Sequence, residues 1–184
     1  MTTKPEFTKS EVARVCLLYG ALLDVVGCAD TAGAPLDGAQ LLWALAGCES
    51  RFGANCTPRH EPGYCDKTNG FYWRRAKLDT LKSGQKHRLI LLTEQFECDA
   101  HKSYGPWQIM HVNAFAWKPE EFRSVETCAL ATVAFLNKEI LQKQRARTLE
   151  QIADAYNSGN FRDDNKPVDY IVKLKQYYAT EVIG

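Results

Sequence analysis

The stretch from Asp37 to Gly53 restricts the fold more than any other part of the chain. Leu41, Leu42, Trp43, Leu45 and Ala46 leave a helix there almost no polar face. A helix that is apolar on all sides has to lie in the middle of a domain, covered by other elements. Asp37 is placed to cap its start, and Gly47 and Gly53 bracket its end. Glu49 is then the one charged residue on the last turn of a central helix. Apolar surroundings raise a carboxyl's pKa and keep it protonated near neutrality, as a proton donor requires. A lone Glu near a helix end is ordinarily a surface residue, so its company decides its meaning.

The rest of the chain is patterned for helices. Thr8 or Ser10 can cap a helix through about Cys28, with Val12, Val15, Cys16, Tyr19, Leu22, Leu23 and Val26 on its inner face. Residues 29–35 read as a turn, and 53–73, rich in Gly, Pro, Asn, Cys and His, as a loop. A helix is expected over 86–96. A long one is expected within 119–143, entered after Pro119 or capped by Ser124, with Leu130, Val133, Ala134, Leu136, Asn137 and Ile140 inside. Thr148 can cap a helix running into Tyr156-Asn157. Pro167, at a first helical position, opens the last one, with Tyr170, Ile171, Leu174 and Tyr177 inside. Strands are confined to a small hairpin within 60–110.

At 184 residues, 45% hydrophobic and 24% charged, the chain suits one globular domain with a core of its own. A net charge of +1 gives no basic stripe for nucleic acid, and no apolar run is long enough to span a membrane. The segment Met1-Thr2-Thr3-Lys4-Pro5-Glu6 lacks the basic start and apolar core of a secretory leader. Of the seven cysteines, Cys16, Cys48 and Cys128 fall in helical patterns and are expected to pack as small apolar residues. Cys56, Cys65 and Cys98 are expected as thiols or with one disulfide among them. Together with His60 and His101 they are zinc-ligand types, but their spacing fits no zinc motif, so no metal is expected.

Two polar, glycine-bearing segments follow Glu49: Ser103-Tyr104-Gly105-Pro106-Trp107-Gln108-Ile109-Met110 and Ala155-Tyr156-Asn157-Ser158-Gly159. With Glu49-Ser50, the Gly-x-x-Gln-Ile of 105–109, the Ala-Tyr-Asn-x-Gly of 155–159 and the later Tyr170, the chain resembles the lytic transglycosylases and goose-type lysozymes. The agreement in order and helical context runs over roughly 36–178. Two departures stand out. Residues 50–102 are longer than the family shows, and Pro106-Trp107 replaces the usual Leu-Met pair.

The resemblance implies a mainly α, lysozyme-like domain over 1–184, with a small β-hairpin. It leaves an N-terminal helix (1–35) outside the motifs and an insertion at 60–98 after the catalytic helix. It implies that Glu49 first protonates the bridging oxygen between N-acetylmuramic acid and N-acetylglucosamine in peptidoglycan. Glu49 then deprotonates the C6 hydroxyl, and a 1,6-anhydro ring closes. No metal or organic cofactor is implied. Tyr156 would hydrogen-bond or pack against Glu49 and hold it, Ser103 and Gln108 would line the groove, Asn157 would shape its turn, and Tyr170 would flank the acid. Trp107 in place of the usual residue could stack on a sugar face. Ser50 is expected to orient backbone. The implied partner is a glycan strand met by a monomer. Delivery would be as a phage enzyme, as a secreted effector, or after removal of a leader.

Two alternatives stay open. A second carboxylate, from Glu61, Asp66, Glu97 or Asp99, would make the same fold a hydrolysing muramidase. A glycan-binding module without turnover is the other.

Overall fold

The computed structural model describes residues 7–61, 64–66, 72–73, 78–79, 83–162, 164 and 166–182. The chain is mainly helical, with small antiparallel sheets. Thr8 caps α1 (Lys9–Tyr19) in a reciprocal box with Glu11, and Asp37 caps α2 (Gly38–Ser50) by accepting from the Gln40 N–H at 2.9 Å. α2 is buried from Leu41 to Cys48, as its composition requires. It packs against α1 and against α6 (Val168–Tyr178), the last helix. Pro167 stands just before α6, at the capping position rather than inside the first turn. No helix among the described residues is long and apolar enough to cross a membrane.

α1 stops nine residues short of the expected end at Cys28. A tight 3-10 turn, Gly20–Leu22, follows it, where Gly20 lies so close to the Ala39 backbone that no side chain fits. Asn137 then takes over the hydrogen bonding. Its amide donates to the Leu22 carbonyl at 2.8 Å and accepts from the Asp24 N–H at 2.8 Å. Leu22 and Val26, expected inside, are therefore exposed, at 54% and 88%.

Two further helices complete the main core. Pro119–Arg123 forms a separate 3-10 turn, and Ser124 caps α4 (Val125–Phe135), which runs on as a π-helical stretch, Leu136–Gln144. Ala134, expected inside, faces solvent, and Asn137 makes the turn contacts just described. Thr148 caps α5 (Leu149–Ser158), and Gly159 closes it in a left-handed conformation.

The middle of the chain carries α3 (Ser83–Phe96) and short strands. β1 (Arg59–His60), β4 (Lys102–Tyr104) and β5 (Ile109–Met110) form one antiparallel sheet with β4 at its centre; β2 (Cys65–Asp66) pairs with β3 (Tyr72–Trp73) in another. The expected single hairpin is thus two small sheets. Trp73, Leu89, Leu92 and Ala100 make a second small core there, apart from the main one. Parts of the 60–98 segment lie outside the described residues.

His111 pins the chain between the sheet and α4. One ring nitrogen lies 2.9 Å from the Trp117 carbonyl, and the rings of Phe96, Tyr104 and Phe122 surround it. Burial holds its pKa below the ordinary 6.5. As pH falls through that value the unfolded chain takes up a proton that the folded one refuses, so stability present above it is lost below it. The urea midpoint should drop between about pH 7.5 and about pH 5.5, and by less in His111→Gln. Equal drops in the two proteins would count against this assignment.

Candidate active site

Glu49 ends the central helix, and the chain behind it turns sharply. Arg51, Phe52 and Gly53 all take left-handed backbone conformations, with φ of 55°, 58° and 93°. Such a conformation is costly for residues with a side chain, so packing has to hold it. The Phe52 ring lies 4.1 Å from Trp43 and 5.0 Å edge-on to Tyr177. Gly47 makes room, since a Cβ there would meet the Phe52 ring at 2.7 Å and Tyr177 at 2.9 Å. The Ser50 hydroxyl donates to the Ala46 carbonyl at 3.1 Å and accepts from the Gly53 N–H at 2.8 Å. Ser50 therefore shapes the turn that fixes the direction of Glu49.

The Glu49 side chain keeps partial exposure. Tyr170, from the first turn of α6, donates its phenol proton to Glu49 Oε1 at 2.6 Å. Loss of surrounding water raises the Glu49 pKa above the carboxylate norm. The Tyr170 hydrogen bond and the charges of Arg59 and Lys173 pull the other way, and the Glu61 carboxylate adds to the rise. Burial is the largest of these causes, and it favours the protonated acid. Burial and the charge of Glu49 also push the Tyr156 and Tyr170 phenols up, so both stay neutral donors.

A polar chain stands on the sheet. The Ser103 hydroxyl lies 2.7 Å from Glu61 Oε1 and 3.0 Å from Gln108 Oε1. With the Arg59 carbonyl at 3.4 Å, one proton faces three acceptors, and it goes to the carboxylate while Glu61 is charged. Arg59 Nε donates to the same Oε1 at 2.9 Å. The Gln108 amide donates to the Gly105 carbonyl at 2.9 Å, from a left-handed backbone with φ of 45°. Glycine is required at position 105 of this turn, because a Cβ there would collide with Cys128.

The expected site residues are therefore divided. Glu49 meets Tyr170 directly, and Ser103 meets Gln108 directly. Tyr156 does not hold Glu49 by a hydrogen bond; its hydroxyl donates to the Trp107 carbonyl at 2.7 Å. Trp107 is not on a groove wall. It is fully buried, and its indole N–H donates to the Leu42 carbonyl of α2 at 2.8 Å. Asn157 is exposed and, with Lys166, Asp169 and Tyr170, lines an open depression of about 510 Å³. A larger groove of about 700 Å³, lined by Trp117, Phe135, Asn160 and Tyr64 among others, begins at the end of the same α5.

Of the four alternative carboxylates, Glu61 is the one whose charge reaches Glu49. Asp99 is engaged by Lys102 at 2.6 Å, Glu97 is exposed, and Asp66 sits on β2. Cys16, Cys28, Cys48 and Cys98 are free thiols, so Cys98 takes no part in a disulfide with Cys56 or Cys65. No group of three metal-ligating side chains gathers among the described residues. Arg59 and Lys173 were not legible as site residues. Lys173 lies three residues after Tyr170, a spacing that puts both on one helix face and could have revealed it.

Compared with known proteins, the chain matches no family model, no curated protein and no solved structure.

Proposed function

We propose that the chain is a peptidoglycan-cleaving enzyme of lysozyme-like fold, acting as a lytic transglycosylase with Glu49 as its single acid and base. The observation that carries this reading is the Glu49 carboxyl, raised in pKa by burial and held by the Tyr170 phenol at 2.6 Å. The three ordered motif segments support it from the sequence.

In the proposed reaction protonated Glu49 gives its proton to the bridging oxygen, and the bond to the anomeric carbon breaks. The substrate's own N-acetyl group steadies that carbon. Glu49, now a carboxylate, takes the proton of the C6 hydroxyl, whose oxygen closes the 1,6-anhydro ring. Tyr170 keeps its hydrogen bond in both charge states, strongest to the carboxylate. Ser103, Gln108 and Asn157 offer polar groups for sugar hydroxyls and amides. The test is mass spectrometry of fragments released from purified peptidoglycan. Fragments ending in 1,6-anhydro-muramic acid are expected. No release from peptidoglycan would end the proposal.

Glu61 favours a second reading, in which the same acid works with water. Both Arg59 and Ser103 bind Oε1, so neither occupies Oε2. Oε2 could take a proton from an attacking water while Glu49 protonates the leaving oxygen. On this reading the fragments end in reducing muramic acid, one water heavier. Glu61→Gln then lowers their release by about 100-fold, the range of a lost general base. Under transglycosylation the same variant keeps its anhydro products within about tenfold.

A further inference from the structure

Glu49 lies on the last turn of α2, and α6 meets that turn with two groups one turn apart. Tyr170 donates to the Glu49 carboxyl. Lys173 Nζ donates to the Cys48 carbonyl, one residue before Glu49, at 2.8 Å. The ammonium is half-buried and also lies 5.8 Å from the centre of the Tyr177 ring. It makes no ion pair with Glu49 among the described residues.

We propose that Lys173 is a positioning residue for Glu49: held on the Cys48 carbonyl, its ammonium steadies the carboxylate that Glu49 becomes each time it gives up its proton. This rests on the reading of Glu49 as the acid. The indirect placement is what gives it meaning. A cation bonded to the carboxylate itself would keep Glu49 ionised and useless as a donor. A cation fixed on the neighbouring carbonyl acts through space, less strongly, in a site where water screens little. It also complements the negative end of α2. The other charged or titratable groups facing Glu49 are Tyr170 from α6, Tyr156 from α5, and Arg59 and Glu61 at the β1 edge. Next to it on α2, the Cys48 thiol is pushed up to about 12 by burial and stays neutral. Arg59 is already bound by Glu61, at 2.9 Å. Lys173 is thus the cation on the α6 side of the acid with no carboxylate of its own among the described residues.

A plain helix-capping role makes a different forecast, and charge separates the two. The measurement is the pH titration of the Glu49 carboxyl in the full chain, by carbon-detected NMR, with the signal assigned by its loss in Glu49→Gln. In Lys173→Met and Lys173→Gln the midpoint should rise by about one pH unit. In Lys173→Arg it should stay at the wild-type value. Lys173→Gln keeps a donor for Cys48, so it gives the answer even where Lys173→Met does not fold. The alkaline limb of glycan release should move up in step, because activity is lost as the acid ionises. Superimposed titrations in Lys173→Gln and wild type would overturn the inference and leave Lys173 as a cap. The titration uses no substrate. A chain that shows the shift but releases nothing from peptidoglycan would refute the proposed function and leave the role of Lys173 standing.

Discussion

Glu49→Gln should lower the rate of glycan release by about 1,000-fold or more, with the fold intact. One carboxyl serves as acid and then as base in the proposed reaction, and each role alone contributes roughly 100- to 10,000-fold. Glutamine matches glutamate in shape and still accepts the Tyr170 hydrogen bond, but it has no proton to give and none to take at working pH. Stability should move in the opposite direction. Burial raises the Glu49 pKa in the folded chain above the ordinary 4.5 of a free glutamate. The folded state therefore binds the proton more tightly than the unfolded one. That contribution is present below the unfolded value and is lost as pH rises through the folded one. Glutamine carries no such loss, so the variant should be at least as stable as wild type at about pH 8, and its advantage should shrink in acid. Turbidity clearing of a peptidoglycan suspension and urea unfolding at two pH values measure both halves. Clearing at more than about a tenth of the wild-type rate would remove Glu49 from the chemistry.

How far the sequence reached depended on whether a residue's partners were close along the chain. α2 was legible because a helix without a polar face has one kind of place to go. The caps at Thr8, Asp37, Ser124 and Thr148 were legible because each satisfies N–H groups within three residues. The end of α1 was not, since Asn137 supplies the hydrogen bonds that turn the chain after Leu22. An apolar stretch cannot announce a partner that far away. The same limit ran through the site. Glu49 stood out by its position, but the choice between Tyr156 and Tyr170 as its donor follows from how α5 and α6 are set against α2. No local pattern records that. Glu61 was one of four equivalent acids in the sequence. The pairing of β1 with β4, which sets Arg59 opposite Ser103, is what singles it out.

Trp107→Ala should cost about 4 kcal/mol of folding stability, within the range for truncating a buried tryptophan. The sequence leaves this side chain open between the core and a groove wall, and on a groove wall alanine would raise KM and leave stability nearly unchanged. The structure instead gives it two internal tasks. Its indole fills the space beside α2 and donates to the Leu42 carbonyl, while its main-chain carbonyl, which alanine keeps, accepts the Tyr156 hydroxyl. It thereby ties the central helix to α5 behind the acid. Removing the ring leaves a cavity that rigid helices fill poorly. Trp107→Phe keeps most of the volume and loses the indole donor, so a smaller loss of about 1–2 kcal/mol is expected. Urea unfolding of the three proteins gives the ordering. A Trp107→Ala protein as stable as wild type, with weaker binding of glycan fragments, would return Trp107 to the groove. A large loss of stability fits a residue that packs within the core behind the site.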